Sequence, residues 1–429
     1  MHLDGRPGLR YIKRGRRTRW GRVALLLVAI AGALYFQRNI VPTIPPLYVP
    51  TPTVTRGPAS FLEEAESHYA AGRLQEAIAA YQLAIRADPR NVDYYVALAR
   101  IQVYSRDPAA ALETANTALL INPDSSPAHA VRALALDWSG QYEQAADAAV
   151  RALQLDPNNA AAHAYYSEIL TDQQQWAQAG DEADLALSLD PASLDGHRAY
   201  GYLLESIGDY EGAIEQYQAA LAVHPNLALL YEAVGRVYGY GLSDPNTAIE
   251  NLQKAAAVAP ENPDIYRQIA RMYAGLGEYG KASQYAVQAL QLDPQSAAMH
   301  GLVGVMRYHN QEYDLANVAL RLAVEGGVTE EGDVPGGLVV DPLPTNSREA
   351  PEAYYTYGLN LLRQSRCAQA APLFRLILAT WPDDEVAAFN ADEGLRQCQE
   401  AGAATGTPAS PTPEGTSEGT AAPPETAAP

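Results

Sequence analysis

Histidine is the residue type whose regular spacing in this chain most resembles a metal-binding pattern. His129, His163 and His197 follow one another at intervals of 34 residues. Zinc needs its ligand nitrogens about 2.0–2.1 Å from the metal, so the imidazoles would have to lie close together. Equivalent positions of stacked helices are about 8–10 Å apart, which is too far for one shared ion. We therefore predict that these rings, together with His300, fill space between helices and that the chain holds no metal.

Catalytic chemistry has little basis in the sequence. No Ser-His-Asp arrangement, nucleotide-binding loop or metal-ligand motif stands out. The many carboxylates are expected on solvent-exposed helix faces, where they keep a protein soluble. An enzyme hidden in the segment 325–350 is disfavoured because that segment contains no His, Cys or Lys. We predict a chain with no catalytic residues and no cofactor.

The elements that position these residues repeat every 34 residues. The clearest copy is "GDYEGAIEQYQAALAVHP", from Gly208 to Pro225. One position in the first half of each unit is always small: Ala65, Ala99, Ala133, Ser167, Gly201, Gly235, Ala270, Gly304 and Gly358. Prolines close the first seven units: Pro89, Pro123, Pro157, Pro191, Pro225, Pro260 and Pro294. A fixed period of this length indicates a helical solenoid, and the small residues allow two antiparallel helices to cross closely.

From about Pro58 to Asp384 the pattern resembles the tetratricopeptide repeat. The family's consensus Trp is absent, and His129, His163, His197 and His300 are among the residues that occupy its position. The resemblance implies an all-α fold, a right-handed helical-hairpin solenoid of about nine repeats. It also implies that the chain binds a protein or peptide partner along a concave wall formed by the first helix of each repeat.

The composition divides the chain into regions. We predict a basic cytoplasmic flank at 1–22, a membrane anchor or signal segment at 23–41, a Pro-rich tether at 42–57, repeats one to eight at 58–328, an acidic Gly/Pro-rich insertion at 329–350, repeat nine at 351–384, a capping helix at 385–400 and a disordered Thr/Pro-rich tail at 401–429. The net charge of −20 argues against nucleic-acid binding, which needs a basic surface.

The N-terminal segment has the features of an export signal. Eight Lys or Arg residues lie within 1–22, directly before the apolar stretch "VALLLVAIAGALYF". Positive charge before an apolar run orients the basic end toward the cytoplasm. We favour a retained single-pass anchor, but the small residues from Ala29 to Ala33 also fit a cleaved signal peptide. Both alternatives place the solenoid outside the cytoplasm.

The chain contains two cysteines. Cys367 lies near the start of the second helix of repeat nine, and Cys398 lies near the end of the capping helix. In stacked antiparallel helices these ends fall on the same side of the layer, so we predict a disulfide. Two unpaired thiols are the alternative. Disulfides occur mainly in exported proteins, in agreement with the N-terminal segment.

By the resemblance, inward-facing positions of the first helices can be read from the sequence. In repeats five to eight they carry an arginine and tyrosine stripe: Arg198, Tyr202, Arg236, Tyr240, Arg267, Arg271 and Tyr308. Arginine binds carboxylates with two parallel hydrogen bonds, and tyrosine adds contact area. One hypothesis is that the stripe recognises an acidic or polar peptide. The alternative is a solvated face whose arginines pair with nearby acids such as Glu205 and Glu232.

We interpret the sequence as a membrane-anchored, extracytoplasmic scaffold that holds another protein in its groove. An accessory subunit of an envelope assembly for polysaccharide or secretion, with a glycan- or export-related role, is the alternative function.

Overall fold

The computed structural model describes residues 20–35, 37–38 and 57–405. Nearly all of the predicted basic flank, Pro-rich tether and tail therefore lies outside the described residues. The chain divides after Arg56 into two units, and each is described by itself.

In the first unit the structure describes residues 20–35 and 37–38. α1 spans Trp20–Tyr35, within the predicted flank and anchor, and its apolar side chains from Leu25 to Leu34 are exposed. Across the described ranges, no helix combines the length and the apolar character needed to cross a bilayer.

The second unit is a series of helical hairpins. The first helices of the nine hairpins are α2 (Pro58–Ala70), α4 (Val92–Tyr104), α6 (Ser126–Asp137), α8 (Ala160–Asp172), α10 (Leu194–Ile207), α12 (Ala228–Arg236), α14 (Pro263–Gly275), α16 (Ala297–His309) and α18 (Ala350–Arg363). The second helices are α3 (Leu74–Ala87), α5 (Pro108–Ile121), α7 (Tyr142–Leu155), α9 (Trp176–Leu189), α11 (Tyr210–Val223), α13 (Pro245–Val258), α15 (Tyr279–Leu292), α17 (Tyr313–Glu325) and α19 (Cys367–Thr380). α20 (Glu385–Thr405) follows the last hairpin. The predicted all-α helical-hairpin solenoid is confirmed.

A capping residue starts most of the first helices. Two residues after a closing proline stands an Asn or Ser whose side chain accepts a hydrogen bond from a backbone N–H of the first turn. Asn91 accepts from the N–H of Asp93 at 3.1 Å, and Ser193 accepts from the N–H of Gly196 at 3.1 Å. Such caps satisfy donors that the helix itself cannot pair. The proline ends one repeat, and the cap then starts the next.

The small position of each first helix faces the second helix of the same repeat. A Cβ added to Gly201 would lie 2.8 Å from the Tyr217 ring, and one added to Gly358 would lie 2.5 Å from the Phe374 ring. Repeat three instead has Ala133 at the small position and Ala149 sixteen residues later, and both are fully buried. In these three repeats close packing couples the two positions by volume, with an aromatic ring opposite glycine and alanine opposite alanine.

The extra residue of repeat six lies within a helix. The spacing predicts a longer turn in "GYGLSDPN", Gly239–Asn246. In the structure α12 instead continues into a π-helical turn, Val237–Gly241. A one-residue insertion inside a helix is commonly absorbed as such a π-bulge. Gly241 lies so close to α11 that a Cβ would be 2.6 Å from the Tyr210 ring.

The insertion after repeat eight is packed on the solenoid. β1 (Gly327–Val328) lies just before the predicted insertion and pairs antiparallel with β2 (Val339–Val340) inside it, with Val328 opposite Val339. Arg307 of α16 binds both carboxylate oxygens of Asp333 at 2.7 and 2.8 Å. The backbone N–H of Leu343 donates to the carbonyl of Ala323 at 2.7 Å. These contacts hold the insertion against repeat eight.

α20 packs against both helices of repeat nine and extends five residues past the predicted boundary at 400. A Cβ added to its Gly394 would lie 2.3 Å from the Phe374 ring, so α20 covers the apolar end of the last hairpin closely. Cys367 and Cys398 form a disulfide with their Cα atoms 5.4 Å apart. The bond joins the start of α19 to α20.

The solenoid curves so that repeat one meets the turn between repeats five and six. The side-chain amide of Asn226 donates to the carbonyl of Ala70 at 2.9 Å, and the rings of Tyr69 and His224 contact each other at a tilt of 47°, with centroids 4.4 Å apart. Gly72 has φ +77°, and a Cβ there would lie 2.3 Å from the carbonyl oxygen of Asn226. Only glycine fits this contact.

Candidate functional site

The periodic histidines bind backbone carbonyls. The Nε2 atoms of His129, His163, His197 and His300 lie 2.9–3.1 Å from the carbonyl oxygen of the proline six residues earlier. The hydroxyls of Tyr95 and Tyr266, at the same position of other repeats, donate to the corresponding carbonyls. This position therefore carries a planar ring with a polar atom at its tip. The hydrogen bond of that atom links the start of one repeat to the end of the previous one. Within 57–400, no three His, Cys, Asp or Glu side chains are arranged to hold a metal ion.

The inner face, meaning the surface formed by the first helices of the repeats, contains a buried ionic network in repeats two to five. Arg198 of α10 is 4% exposed. Its two terminal nitrogens donate to the two carboxylate oxygens of Glu168, with an Nη2–Oε2 distance of 2.6 Å. The hydroxyls of Tyr104 and Tyr165 both donate to the carboxylate of Asp195, and the hydroxyl oxygen of Tyr165 lies 3.1 Å from Oδ2 of Asp195. Arg198 is thus enclosed by the chain's own side chains.

A cavity of about 540 Å³ opens beside this network. Its lining comes from repeats two to six: Arg106, Asp137, Trp138, Gly140, Tyr142, Glu168, Asp172, Arg198, Tyr202, Tyr217, Leu229, Glu232, Ala233 and Arg236. Most of these residues belong to first helices or to the turns that follow them. The size is typical of a pocket that encloses a small ligand or a large side chain.

The predicted stripe residues at this cavity bind acids of the chain itself. Tyr202 donates its hydroxyl to Asp172. Arg236 donates to both oxygens of Glu205 at 2.5 and 2.8 Å. The carboxylate of Glu232, itself buried, accepts from Arg106 at 2.6 Å and from Gln268 at 2.7 Å.

Arg267 and Arg271 lie elsewhere on the inner face. They line a second cavity of only about 10 Å³ between repeats seven, eight and nine. Arg267 lies 2.8 Å from the carboxylate of Asp264 and 3.3 Å from that of Glu349. Arg271 lies 3.4 Å from the carboxylate of Glu352. Both arginine side chains are about one-third exposed.

The two remaining stripe residues line neither cavity. Tyr240 lies on the π-helical turn and is 61% exposed. Tyr308 packs edge-on against the ring of Tyr313, 5.7 Å between centroids. The structure therefore brings together Arg198, Tyr202 and Arg236, and it separates them from the rest of the stripe.

The stripe omits two acids that lie at the heart of the cavity. By their spacing from the consensus-Trp position, Asp137 is equivalent to Tyr308 and Asp172 to Tyr240, so both stand at positions that the resemblance marks as inward-facing. Burial raises the pKa of Asp137 to about 9, and the negative charges of Glu168 and Asp172 add to the effect. Burial also raises the pKa of Asp172. Applying the inward-facing positions to repeats three and four would have found both residues.

Comparison with known proteins identifies the repeats. Models of the tetratricopeptide repeat match residues 68–135 and 240–305, and a second such model matches 199–227. No curated protein sequence matches the chain. Tetratricopeptide repeats are therefore present on both sides of the cavity. They generally form non-catalytic scaffolds suited to protein–protein interaction.

Solved structures resemble the chain at the level of the fold. The crystal structure of the APC/C hetero-tetramer Cut9–Hcn1 contains a chain with 17% identity and a TM-score of 0.53, and the match covers 78% of this chain and 55% of that one. The chain thus spans little more than half of that relative. PilF of Pseudomonas aeruginosa has 24% identity and a TM-score of 0.40, covering 46% of this chain and 90% of its own. A tetratricopeptide repeat protein of Parabacteroides merdae has 17% identity and a TM-score of 0.39, covering 58% and 98%.

Proposed function

We propose that the chain is a non-catalytic scaffold that holds a protein partner on the inner face of its solenoid. The observation that carries this proposal is the cavity of about 540 Å³ on that face. Repeat solenoids pack each unit against its neighbours and leave an extended inner surface for binding. A cavity with aromatic and charged walls on such a surface suits an anchoring side chain of a bound protein.

We also propose that the solenoid works outside the cytoplasm, held at the membrane by its N-terminal segment. The support is the basic flank before the apolar stretch, together with the disulfide between Cys367 and Cys398. Cleavage of the segment would instead release a soluble binding protein outside the cytoplasm.

Site-specific photo-cross-linking in the native host tests the binding face. A photoreactive phenylalanine analogue replaces Tyr142 at the cavity, or Leu120, which is exposed on α5 and does not line it. We expect an adduct of defined mass from the Tyr142 position and none from the Leu120 position. Equal adducts from both positions, or none from either, would contradict the proposal.

Membrane fractionation with external protease on spheroplasts tests the location, with a tag at the C-terminus. A membrane-bound protein digested from outside is the expected result. A soluble product shortened by a few kilodaltons indicates cleavage, and protection from the protease contradicts an extracytoplasmic solenoid.

A further inference from the structure

The charges that line the cavity of about 540 Å³ are not balanced. Four acids and three arginines contribute to its walls. Glu168 is paired with Arg198, and Glu232 is paired with Arg106. Arg236, the third arginine, is bound by Glu205.

Two carboxyls are left over, those of Asp137 and Asp172. Within the described part of the chain, neither forms an ion pair with a Lys or Arg. The cavity therefore contains two carboxyls without a cationic partner in that part of the chain.

Asp137 is the more deeply buried of the two acids. It is 5% exposed, and its Oδ1 has no hydrogen-bond donor among the residues that the structure describes. Its carboxyl shares a hydrogen bond with Asp172, which also accepts from Tyr202. A buried acceptor without a donor destabilises a fold unless a ligand supplies the donor.

The arginine that lines the same wall also has unused capacity. The Nε of Arg198 has no acceptor within 57–400, although the side chain is nine-tenths buried. A ligand that carries both donors and acceptors could satisfy it together with Asp137. The unpaired groups on this wall thus include one acceptor and one donor.

Aromatic side chains form other walls of the cavity. Trp138, Tyr142 and Tyr202 line it, and Tyr142 is about two-fifths exposed. The guanidinium of Arg198 already lies 5.8 Å from the Trp138 ring, at cation–π distance. The charge of Asp172 raises the pKa of Tyr142, because the ring and the carboxylate lie near each other at the cavity.

We propose that the cavity is a recognition pocket for an arginine side chain of the bound protein partner, with Asp137 and Asp172 as its acceptors. The proposal rests on the proposed function, because it names the type of side chain that the scaffold recognises on its partner. It reverses the charge expected from the sequence: the arginine stripe is paired internally, and the unpaired groups are acids.

One guanidinium can serve both carboxyls. It presents five N–H donors in a planar fork, so it can bind both acids at once and still lie against an aromatic ring. A nearby cation favours the ionised carboxylate, so binding should release the proton that Asp137 holds near neutral pH.

Isothermal titration calorimetry of the full chain tests the pocket with matched probes. The first probe is N-acetyl-arginine methylamide, and the second is N-acetyl-citrulline methylamide, which has nearly the same shape without the charge. Titration to about 20 mM covers the weak affinity of a single residue. We expect the arginine probe to bind about tenfold or more tightly than the citrulline probe, the gain expected of a charge-assisted pair.

Substitutions then locate the binding. The double substitution Asp137→Asn and Asp172→Asn should weaken the arginine probe by about tenfold or more and leave the citrulline probe unchanged. Asp124→Asn, an exposed acid outside the cavity, is the control and should change neither affinity. Thermal unfolding of each variant checks that it is folded. Heats measured in phosphate and in Tris should differ for the wild type, since the released proton is taken up by the buffer.

Several results would overturn the pocket. Equal affinity for both probes, unchanged arginine affinity in the double variant, or no binding of the arginine probe to the wild type would each do so. Tighter binding of free L-arginine than of the capped probe would indicate a small-molecule site and reject a partner side chain. If the cross-link from the Tyr142 position persists in any of these cases, the scaffold function stands and only the pocket fails.

Discussion

The two halves of the solenoid use the same hairpin and produce different inner faces. The N-terminal half, repeats one to six, curves until Tyr69 contacts His224, yet it leaves a cavity of about 540 Å³. The C-terminal half, repeats seven to nine with α20, leaves only about 10 Å³ between the arginines and Glu349 and Glu352. The repeat backbone therefore does not determine whether the inner face can accept a ligand. The side chains at the inward-facing positions do.

One pair of equivalent residues makes the contrast quantitative. Arg198 and Arg267 occupy the same position of repeats five and seven. The side chain of Arg198 is 5% exposed and that of Arg267 is 30% exposed. Breaking a buried ion pair leaves an uncompensated charge in a medium of low dielectric constant, whereas water replaces a partly exposed one. An arginine at the same repeat position therefore contributes strongly to stability in the N-terminal half and only weakly in the C-terminal half.

The largest expected effect comes from Arg198→Met. The substitution leaves Glu168 buried without its partner, and we expect the free energy of unfolding to fall by about 3–5 kcal/mol. Arg267→Met, the matched variant, should cost less than about 1 kcal/mol. Urea unfolding monitored by circular dichroism gives both values.

A compensating variant checks the cause. Adding Glu168→Gln to Arg198→Met removes the stranded charge, so part of the lost stability should return. Similar losses in Arg198→Met and Arg267→Met would mean that burial does not distinguish the two halves.

Removing the disulfide is expected to weaken the C-terminal half alone. Cys367 and Cys398 enclose a loop of 31 residues, and its closure is worth about 3–4 kcal/mol in the chain-entropy treatment. In a double Cys→Ser variant, hydrogen exchange should accelerate in α18, α19 and α20. Because each repeat contacts mainly its neighbours, protection in repeats one to six should not change. Equal loss of protection in both halves would show that the solenoid opens as one unit.

The sequence predicts the hairpins because their determinants are local. Closing prolines, the caps that follow them and the small position all recur within one period. The extra residue of repeat six can also be read from the sequence, but its position within a π-helical turn cannot. One extra residue can be accommodated either by a longer turn or by a bulge in the helix. The packing of Gly241 against Tyr210, which accompanies the bulge, involves the neighbouring repeat.

The inner face was less predictable for two reasons. The contact of Asn226 with Ala70 joins residues 156 positions apart, and it depends on curvature accumulated over several repeats. No single period contains that information. Asp137 and Asp172, in contrast, stand at positions that the family resemblance marks as inward-facing. What distinguishes these two acids is their burial, and burial at a curved inner face cannot be read from the sequence of one repeat.

The smallest expected effect is a change in the pH dependence of the N-terminal half. The folded-state pKa of Asp137 is raised to about 9 by burial and by the facing charges of Glu168 and Asp172, with Arg198 opposing. A raised carboxyl pKa means that the folded state holds a proton that the unfolded state releases. Its stabilising contribution is complete below the ordinary carboxyl pKa, falls as pH rises, and is lost through about pH 9.

Asp137→Asn removes this titration. The difference in unfolding free energy between the variant and the wild type should therefore shift steadily in favour of the variant from pH 5 to pH 9. The relative slope cannot exceed about 1.4 kcal/mol per pH unit, the value for one proton. Urea midpoints at pH 5, 7 and 9 measure it, with the exposed Asp124→Asn as the control that should run parallel to the wild type. A parallel curve for Asp137→Asn as well would mean that the carboxyl is ionised in the folded protein. The N-terminal cavity would then carry both negative charges at neutral pH, and its contrast with the C-terminal half would be larger still.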